Sequence, residues 1–145
     1  NPPPGGMRFS SGEGCQTGAL VNLMLGGMNP MWGGGLLHSE LRYFDPVQRR
    51  TGVPEDVAAL VTRMNPESVT VTLVNLNQTA ARNLIVQTGA YGEHICEKVV
   101  CGNESITIGG RWFEVSLDPG AGRELTIYRK RGASQPTFRF PWQNK

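Results

Sequence analysis

The sequence has few cysteines, few charged residues and no long apolar run. It contains three cysteines among 145 residues, and 18% of its residues are charged, with a net charge of +2. A membrane-spanning helix needs about 20 consecutive apolar residues, and ALVNLML at residues 19–25 is far shorter. We therefore expect no membrane span. Because no basic stripe alternates with aromatic residues, nucleic acid is not expected as a partner either.

The cysteines give little information about metals or compartment. No CxxC pair is present, so a structural zinc site is not predicted and we expect no cofactor. An odd number of cysteines leaves at least one thiol without a disulfide partner in the chain. Whether Cys96 and Cys101 form a disulfide stays open. Residues 77–79 (NQT) and 103–105 (NES) fit the N-glycosylation pattern, which favours an exported protein.

The first 35 residues are dominated by glycine, proline and methionine. The sequence starts at Asn1 and not at a methionine. Two explanations stay open: an upstream segment was removed by cleavage, or the expressed chain was trimmed. Glycine-rich segments lose much backbone entropy on ordering. We therefore predict that residues 1–35 are extended and lie on a preformed surface, belonging either to this chain or to a partner.

Residues 36–67 are predicted to be a connector of one strand and one helix. Alternation in LLHSELRYFDP predicts a half-buried strand, in which His38, Glu40 and Arg42 share one face. In PEDVAALVTRM, Pro54 suits the first helical position, and Glu55 and Asp56 suit the positive end of the helix dipole. The apolar residues of this stretch have helical spacing, which predicts one amphipathic helix; they are Val57, Leu60, Val61 and Met64.

Residues 68–145 show period-two alternation in six short segments separated by turn signals. The segments are SVTVTLVNL, ARNLIVQTG, HICEKVVC, ESITIGG, RWFEVSL and RELTIYRK. No helical stretch separates them, so parallel crossovers are excluded and an antiparallel β-sandwich is predicted. The ending QPTFRFPWQNK could add an edge strand. The predicted fold is thus mainly β, preceded by a short helix and a Gly/Met-rich segment.

The stretch GAYGEH at residues 89–94 allows two interpretations. Tyr91, Glu93 and His94 could form a reactive cluster, with Glu93 as an acid or base. Alternatively, Gly89 and Gly92 supply the positive φ angles of a turn between two strands. Neighbouring strand residues point to opposite faces, so we expect Glu93 and His94 to diverge, which favours the turn.

The sequence is compatible with two further kinds of ligand site, one for a metal and one for a sugar. His38 and Glu40, together with Glu93 or His94, could form a metal site in a small metal-assisted enzyme. Alternatively, exposed aromatic residues could stack on sugar rings in a free-standing carbohydrate-binding module. In the pair Trp112-Phe113, one side chain must face the core.

Residues 68–129 resemble the all-β C-terminal domains of multidomain glycoside hydrolases and related carbohydrate-active proteins. The stretches that carry the resemblance are VTVTLVNLNQTAARNLIVQ and EVSLDPGAGRELTIYRK. The resemblance implies an accessory domain that packs against a larger catalytic chain or domain and has no catalytic residue of its own. Residues 1–35 would then approach the catalytic cleft, where a carbohydrate is the expected ligand.

The hypothesis that follows is a non-catalytic β-sandwich fragment or small subunit of a larger hydrolase-like assembly. The alternatives are the carbohydrate or small-ligand module and the metal-assisted enzyme described above. Catalytic residues cannot be assigned. The candidate ligand-contacting residues are Trp32, His38, Glu40, Arg42, Tyr91, Glu93 and His94.

Overall fold

A computed structural model describes residues 18–27 and 39–143. Trp32 and His38 lie outside these residues, as does most of the predicted extended segment. The elements in chain order are α1 Gly18–Leu25, β1 Leu41–Asp45, β2 Arg50–Thr51, β3 Val57–Met64, β4 Ser68–Asn75, β5 Arg82–Thr88, β6 Ile95–Cys101, β7 Glu104–Gly110, β8 Trp112–Leu117, β9 Gly122–Lys130 and a 3₁₀ turn Pro141–Gln143.

The strands form two antiparallel sheets. The four-stranded sheet has the order β2-β1-β5-β8, and the five-stranded sheet has the order β3-β4-β9-β6-β7. Every pairing is antiparallel. The mainly β, antiparallel sandwich is thus confirmed, and all six strands predicted after residue 67 are present. The connector residues also enter the sheets, since they supply β1, β2 and β3.

The core lies between the inward faces of the two sheets. Strand alternation places Leu41 and Tyr43 inward on β1, and Phe113 inward on β8 while Trp112 faces outward. Facing them are buried residues of the five-stranded sheet, among them Val71 and Ile127. Fully burying one such side chain contributes roughly 1.5–3 kcal/mol, so the alternating pattern is the main source of stability.

The helix predicted for residues 54–64 is wrong, because Val57–Met64 is strand β3. It pairs along its length with β4, from Val57 opposite Asn75 to Met64 opposite Val69, with a bulge after Val61. Asp56 has a φ of 66° and lies in a turn in which Val57 N donates to Pro54 O. A left-handed residue cannot continue a right-handed helix, so Pro54 starts a turn here.

The short helix of the described chain is instead α1, within the segment predicted to be extended. It ends at Leu25, and the following Gly26 has a φ of 65° and donates from its N to Asn22 O at 2.8 Å. A glycine in this conformation is a common helix terminator. Met24 and Leu25 pack against the core, and the hydroxyl of Tyr43 donates to Met24 O at 2.7 Å. The helix therefore closes the flank of the sandwich beside β3 and β1.

The C-terminal residues do not form the predicted edge strand. Residues 131–140 contain no strand and cross the outer face of the four-stranded sheet. Phe44 on that face is 1% exposed, because Phe140 and Trp142 contact its ring edge-on at 6.1 and 6.0 Å. Within residues 18–27 and 39–143, no helix is both long enough and apolar enough to cross a membrane.

Candidate functional site

The GAYGEH stretch is a turn, as the second interpretation predicted. Gly89 and Gly92 have φ angles of 82° and 64°. A Cβ on Gly89 would lie 2.5 Å from the carboxylate of Glu93, so a side chain there would displace that carboxylate in addition to the strain of the positive φ. That carboxylate accepts a hydrogen bond from Tyr91 N at 2.8 Å. Glu93 therefore stabilises the turn that contains it.

His94 is also held by the backbone. Its Nδ1 accepts a hydrogen bond from Gly132 N at 3.1 Å, so Nε2 bears the proton of the neutral ring. Nε2 lies 3.8 Å from Glu93 Oε1. The expectation that the two side chains diverge is wrong, because both residues precede β6 and do not follow strand alternation. Burial lowers the pKa of His94 below its ordinary 6.5, although the neighbouring Glu93 opposes this effect.

Glu40 is engaged in a buried ion pair with Arg129. The exposed fractions of the two residues are 8% and 3%. Glu40 Oε2 contacts Arg129 Nη1, and the backbone oxygen of Glu40 accepts from Gly89 N at 2.8 Å. Within the described residues, no group of three or more His, Cys, Asp or Glu side chains could hold a metal ion. Glu40 thus stabilises the end of the sandwich where β1 and β9 meet.

Arg42 and Tyr91 are the remaining two candidate ligand-contacting residues that the structure describes. The guanidinium of Arg42 lies 5.1 Å from the centre of the Phe44 ring and donates to Ala90 O at 3.3 Å. The ring of Tyr91 meets Phe138 edge-on at 5.3 Å. The structure therefore brings Glu40, Arg42, Tyr91, Glu93 and His94 together around one turn, where the contacts shown support the fold.

A surface beside Glu40, formed by α1 and β3, has a different character. Exposed apolar residues of α1 and β3 lie side by side, and we name them the α1–β3 surface: Leu20, Val21, Leu23, Leu60 and Met64. They are 42–67% exposed. A shallow groove of about 440 Å³ runs between the helix and the strand, lined only by apolar residues, including Met24, Ala58 and Ala59. Contiguous exposed apolar surface of this kind is typical of protein interaction sites.

A third feature is a shallow, open cleft of about 560 Å³ between the start of β8 and the C-terminal segment, which we name the Trp112 cleft. Its lining residues are Arg111, Trp112, Gln135, Pro136, Thr137 and Arg139. Trp112 faces the cleft because Phe113 occupies the core.

The sequence interpretation missed both surfaces. The sequence pattern places Leu60 and Met64 in the apolar stripe of a helix, whereas they lie on a strand that leaves them exposed. A signal for the cleft was present in the sequence, because Arg111-Trp112 follows two glycines and Arg139 lies between two phenylalanines. What the sequence could not show is that the C-terminal segment folds back beside β8.

The chain matches no protein-family model, no curated protein and no solved structure.

Proposed function

We propose that this chain is a non-catalytic β-sandwich that packs through its α1–β3 surface against a larger catalytic chain or domain of a carbohydrate-active, hydrolase-like assembly. The observation that carries the proposal is the exposure of large apolar side chains on two adjacent elements. Leu20 is 67% exposed, Met64 56% and Leu23 50%. Removing such residues from water on association would be favourable.

The position of α1 supports a packing role. The helix is only eight residues long, too short to be stable in isolation, so its stability depends on tertiary contacts. Its inner side contacts the core through Met24 and Leu25, while Leu20 and Leu23 stay exposed. A helix anchored on one side and apolar on the other is suited to lie between two packed bodies.

The condition of the polar residues supports a non-catalytic role. Glu40 is paired with Arg129, Glu93 accepts from the backbone, and His94 accepts from Gly132 N. A general acid or base must reach the proton that it transfers. Since these groups are engaged with the fold, the metal-assisted enzyme is not favoured.

The test uses charge substitutions at matched apolar positions. Leu23→Glu and Leu60→Glu introduce a carboxylate into the α1–β3 surface, whereas Val47→Glu and Ile106→Glu do so at other sites that are 80% and 60% exposed. Each variant is expressed with an affinity tag in cells that produce the catalytic chain. We expect the unchanged chain and both controls to retain a larger polypeptide with glycoside hydrolase activity, and the two surface variants to lose it.

Two results would contradict the proposal. One is a chain that is monomeric by sedimentation and in which those β3 amides that do not bond to β4 are strongly protected from hydrogen exchange in the absence of any partner. Residues of the same chain would then cover the surface. The other is a retained polypeptide that hydrolyses no glycan, which would remove the carbohydrate part of the proposal.

A further inference from the structure

The Trp112 cleft has one wall from the sheet and one from the C-terminal segment. The second wall is fixed at several points, since Ser134 N donates to Glu93 O at 3.2 Å and Thr137 N donates to Tyr91 O at 2.8 Å. Arg139 N in turn donates to Thr137 Oγ1 at 3.1 Å. A wall held by backbone hydrogen bonds needs little ordering when a ligand binds, which favours affinity.

The cleft contains two positive charges and no carboxylate. Arg111 and Arg139 line it, and within the described residues neither guanidinium forms an ion pair. Arg111 is half-buried. Arg139 is exposed, so only the Arg111 guanidinium is partly removed from water. Removing a charge from water is costly without a partner, so an anionic ligand is favoured beside Arg111. Guanidinium groups bind carboxylates with two parallel hydrogen bonds, which adds directional preference.

An unused hydrogen-bond acceptor lies beside this charge. Gln87 is 1% exposed, and its Oε1 has no hydrogen-bond partner among the described residues. A Cβ on Gly92 would lie 3.4 Å from Arg111 Cδ and 3.6 Å from Gln87 Oε1, so the two side chains meet above this glycine. Buried polar atoms usually have a partner. Gln87 does not line the cleft, however, so this buried atom lies behind Arg111 and out of reach of a ligand in the cleft.

The remaining lining residues indicate a ring with many hydroxyl groups. The half-exposed indole of Trp112 offers a flat apolar face to the C–H side of a sugar ring. Gln135 and Thr137 supply an amide and a hydroxyl group, which both donate and accept hydrogen bonds. One aromatic ring and a few convergent polar groups are typical of a ligand site.

We propose that the Trp112 cleft binds a carbohydrate that carries a carboxylate, such as a hexuronic acid within an oligosaccharide. The sugar ring stacks on Trp112, and the carboxylate lies between Arg111 and Arg139. The inference goes beyond the packing role and does not depend on it. The cleft borders the four-stranded sheet, whereas the α1–β3 surface involves the edge of the five-stranded sheet.

The test compares an oligogalacturonate with the same oligomer after methyl esterification, which neutralises the carboxylates and adds a methyl group to each. Binding is followed by calorimetry and by tryptophan fluorescence. We expect the acid to bind about tenfold or more tightly than the ester. Arg111→Gln and Arg139→Gln should each weaken binding of the acid by about tenfold and leave the ester unchanged. Arg63→Gln, which removes an exposed arginine from β3, is the matched control.

Several results would overturn the proposal. Among these are absence of binding, equal affinity for acid and ester, or an equal loss in Arg63→Gln. Adenosine monophosphate binding more tightly than the oligomer would indicate a nucleotide site, and competition by sulfate at the concentration of the oligomer would indicate nonspecific anion binding. Trp112→Phe, which retains a ring, should keep measurable affinity, whereas Trp112→Ala should lose it. Circular dichroism verifies that each variant is folded.

Discussion

At the scale of single residues, charged and polar groups at one end of the sandwich stabilise the chain reversal at residues 89–94. The clearest case is His94, which is 8% exposed and accepts a hydrogen bond through Nδ1. Burial is the largest cause of its lowered pKa, and the positive charges of Arg129 and Arg131 act in the same direction. Glu93 and Glu40 act in the opposite direction. The neutral ring is therefore the form that the folded state favours.

His94 should make stability depend on pH. The unfolded chain protonates this ring near its ordinary pKa of 6.5, whereas the folded chain protonates it only at lower pH. The stabilisation is therefore complete above pH 6.5 and is lost as the pH falls through the lowered pKa. We expect the free energy of unfolding, measured by urea denaturation, to decrease from pH 7.5 to pH 5. His94→Asn keeps an acceptor near Gly132 N and should reduce this decrease.

The second histidine of the sequence provides the matched control for this prediction. His38→Asn removes one imidazole and keeps His94, so the pH dependence that His94 causes should persist. An equal reduction in both variants, or a decrease that His94→Asn does not reduce, would contradict the assignment.

The residue scale also shows what local sequence can predict. Gly89 and Gly92 predicted a turn correctly, because positive φ angles are a property of single residues. The partner of Glu40 was not predictable in this way. Arg129 reaches it only because β9 lies in the opposite sheet with its end near the start of β1. That approach depends on topology.

At the scale of elements, the stretch 54–64 shows how two periodicities can coincide. Val57 and Val61 are four positions apart. This spacing places them on the same side of a helix and also on the same side of a strand. Leu60 and Met64 distinguish the two cases, because a helix would bury them and the strand leaves them 43% and 56% exposed. Pairing with β4 decides the outcome, and the β-branched valines suit it.

The end of α1 offers a prediction about Gly26. A Cβ there would lie 3.1 Å from Glu40 Cβ and 3.2 Å from Met64 Sδ, at a φ of 65°. Gly26→Ala should therefore add crowding to the cost of a left-handed alanine. Gly102, with a φ of 58° and nothing within 4 Å, carries only the conformational cost. We expect Gly102→Ala to lower the free energy of unfolding by about 1 kcal/mol, and Gly26→Ala by roughly 1 kcal/mol more.

Urea denaturation of the two glycine variants measures this difference directly. The circular dichroism of both folded variants should match that of the unchanged chain. Equal destabilisation would mean that α1 does not pack against β1 and β3 as described.

At the scale of the whole molecule, both ends of the described chain cover parts of the sandwich. Helix α1 closes the flank beside β3, and residues 134–143 cover the outer face of the four-stranded sheet. The sandwich itself was predictable, because alternation is encoded in each strand separately. The positions of the covering segments were not predictable, because they depend on surfaces formed elsewhere in the chain.

The anchoring of the C-terminal segment leads to the last prediction. Phe140 and Trp142 stack at 5.1 Å, and both contact the buried ring of Phe44, whereas Phe138 is 83% exposed and contacts Tyr91. Phe140→Ala and Trp142→Ala should each lower the free energy of unfolding by about 1–2 kcal/mol. Phe138→Ala should cost clearly less. If urea denaturation showed equal losses in all three, the covering role of the segment would be wrong, because burial against Phe44 is what separates these positions.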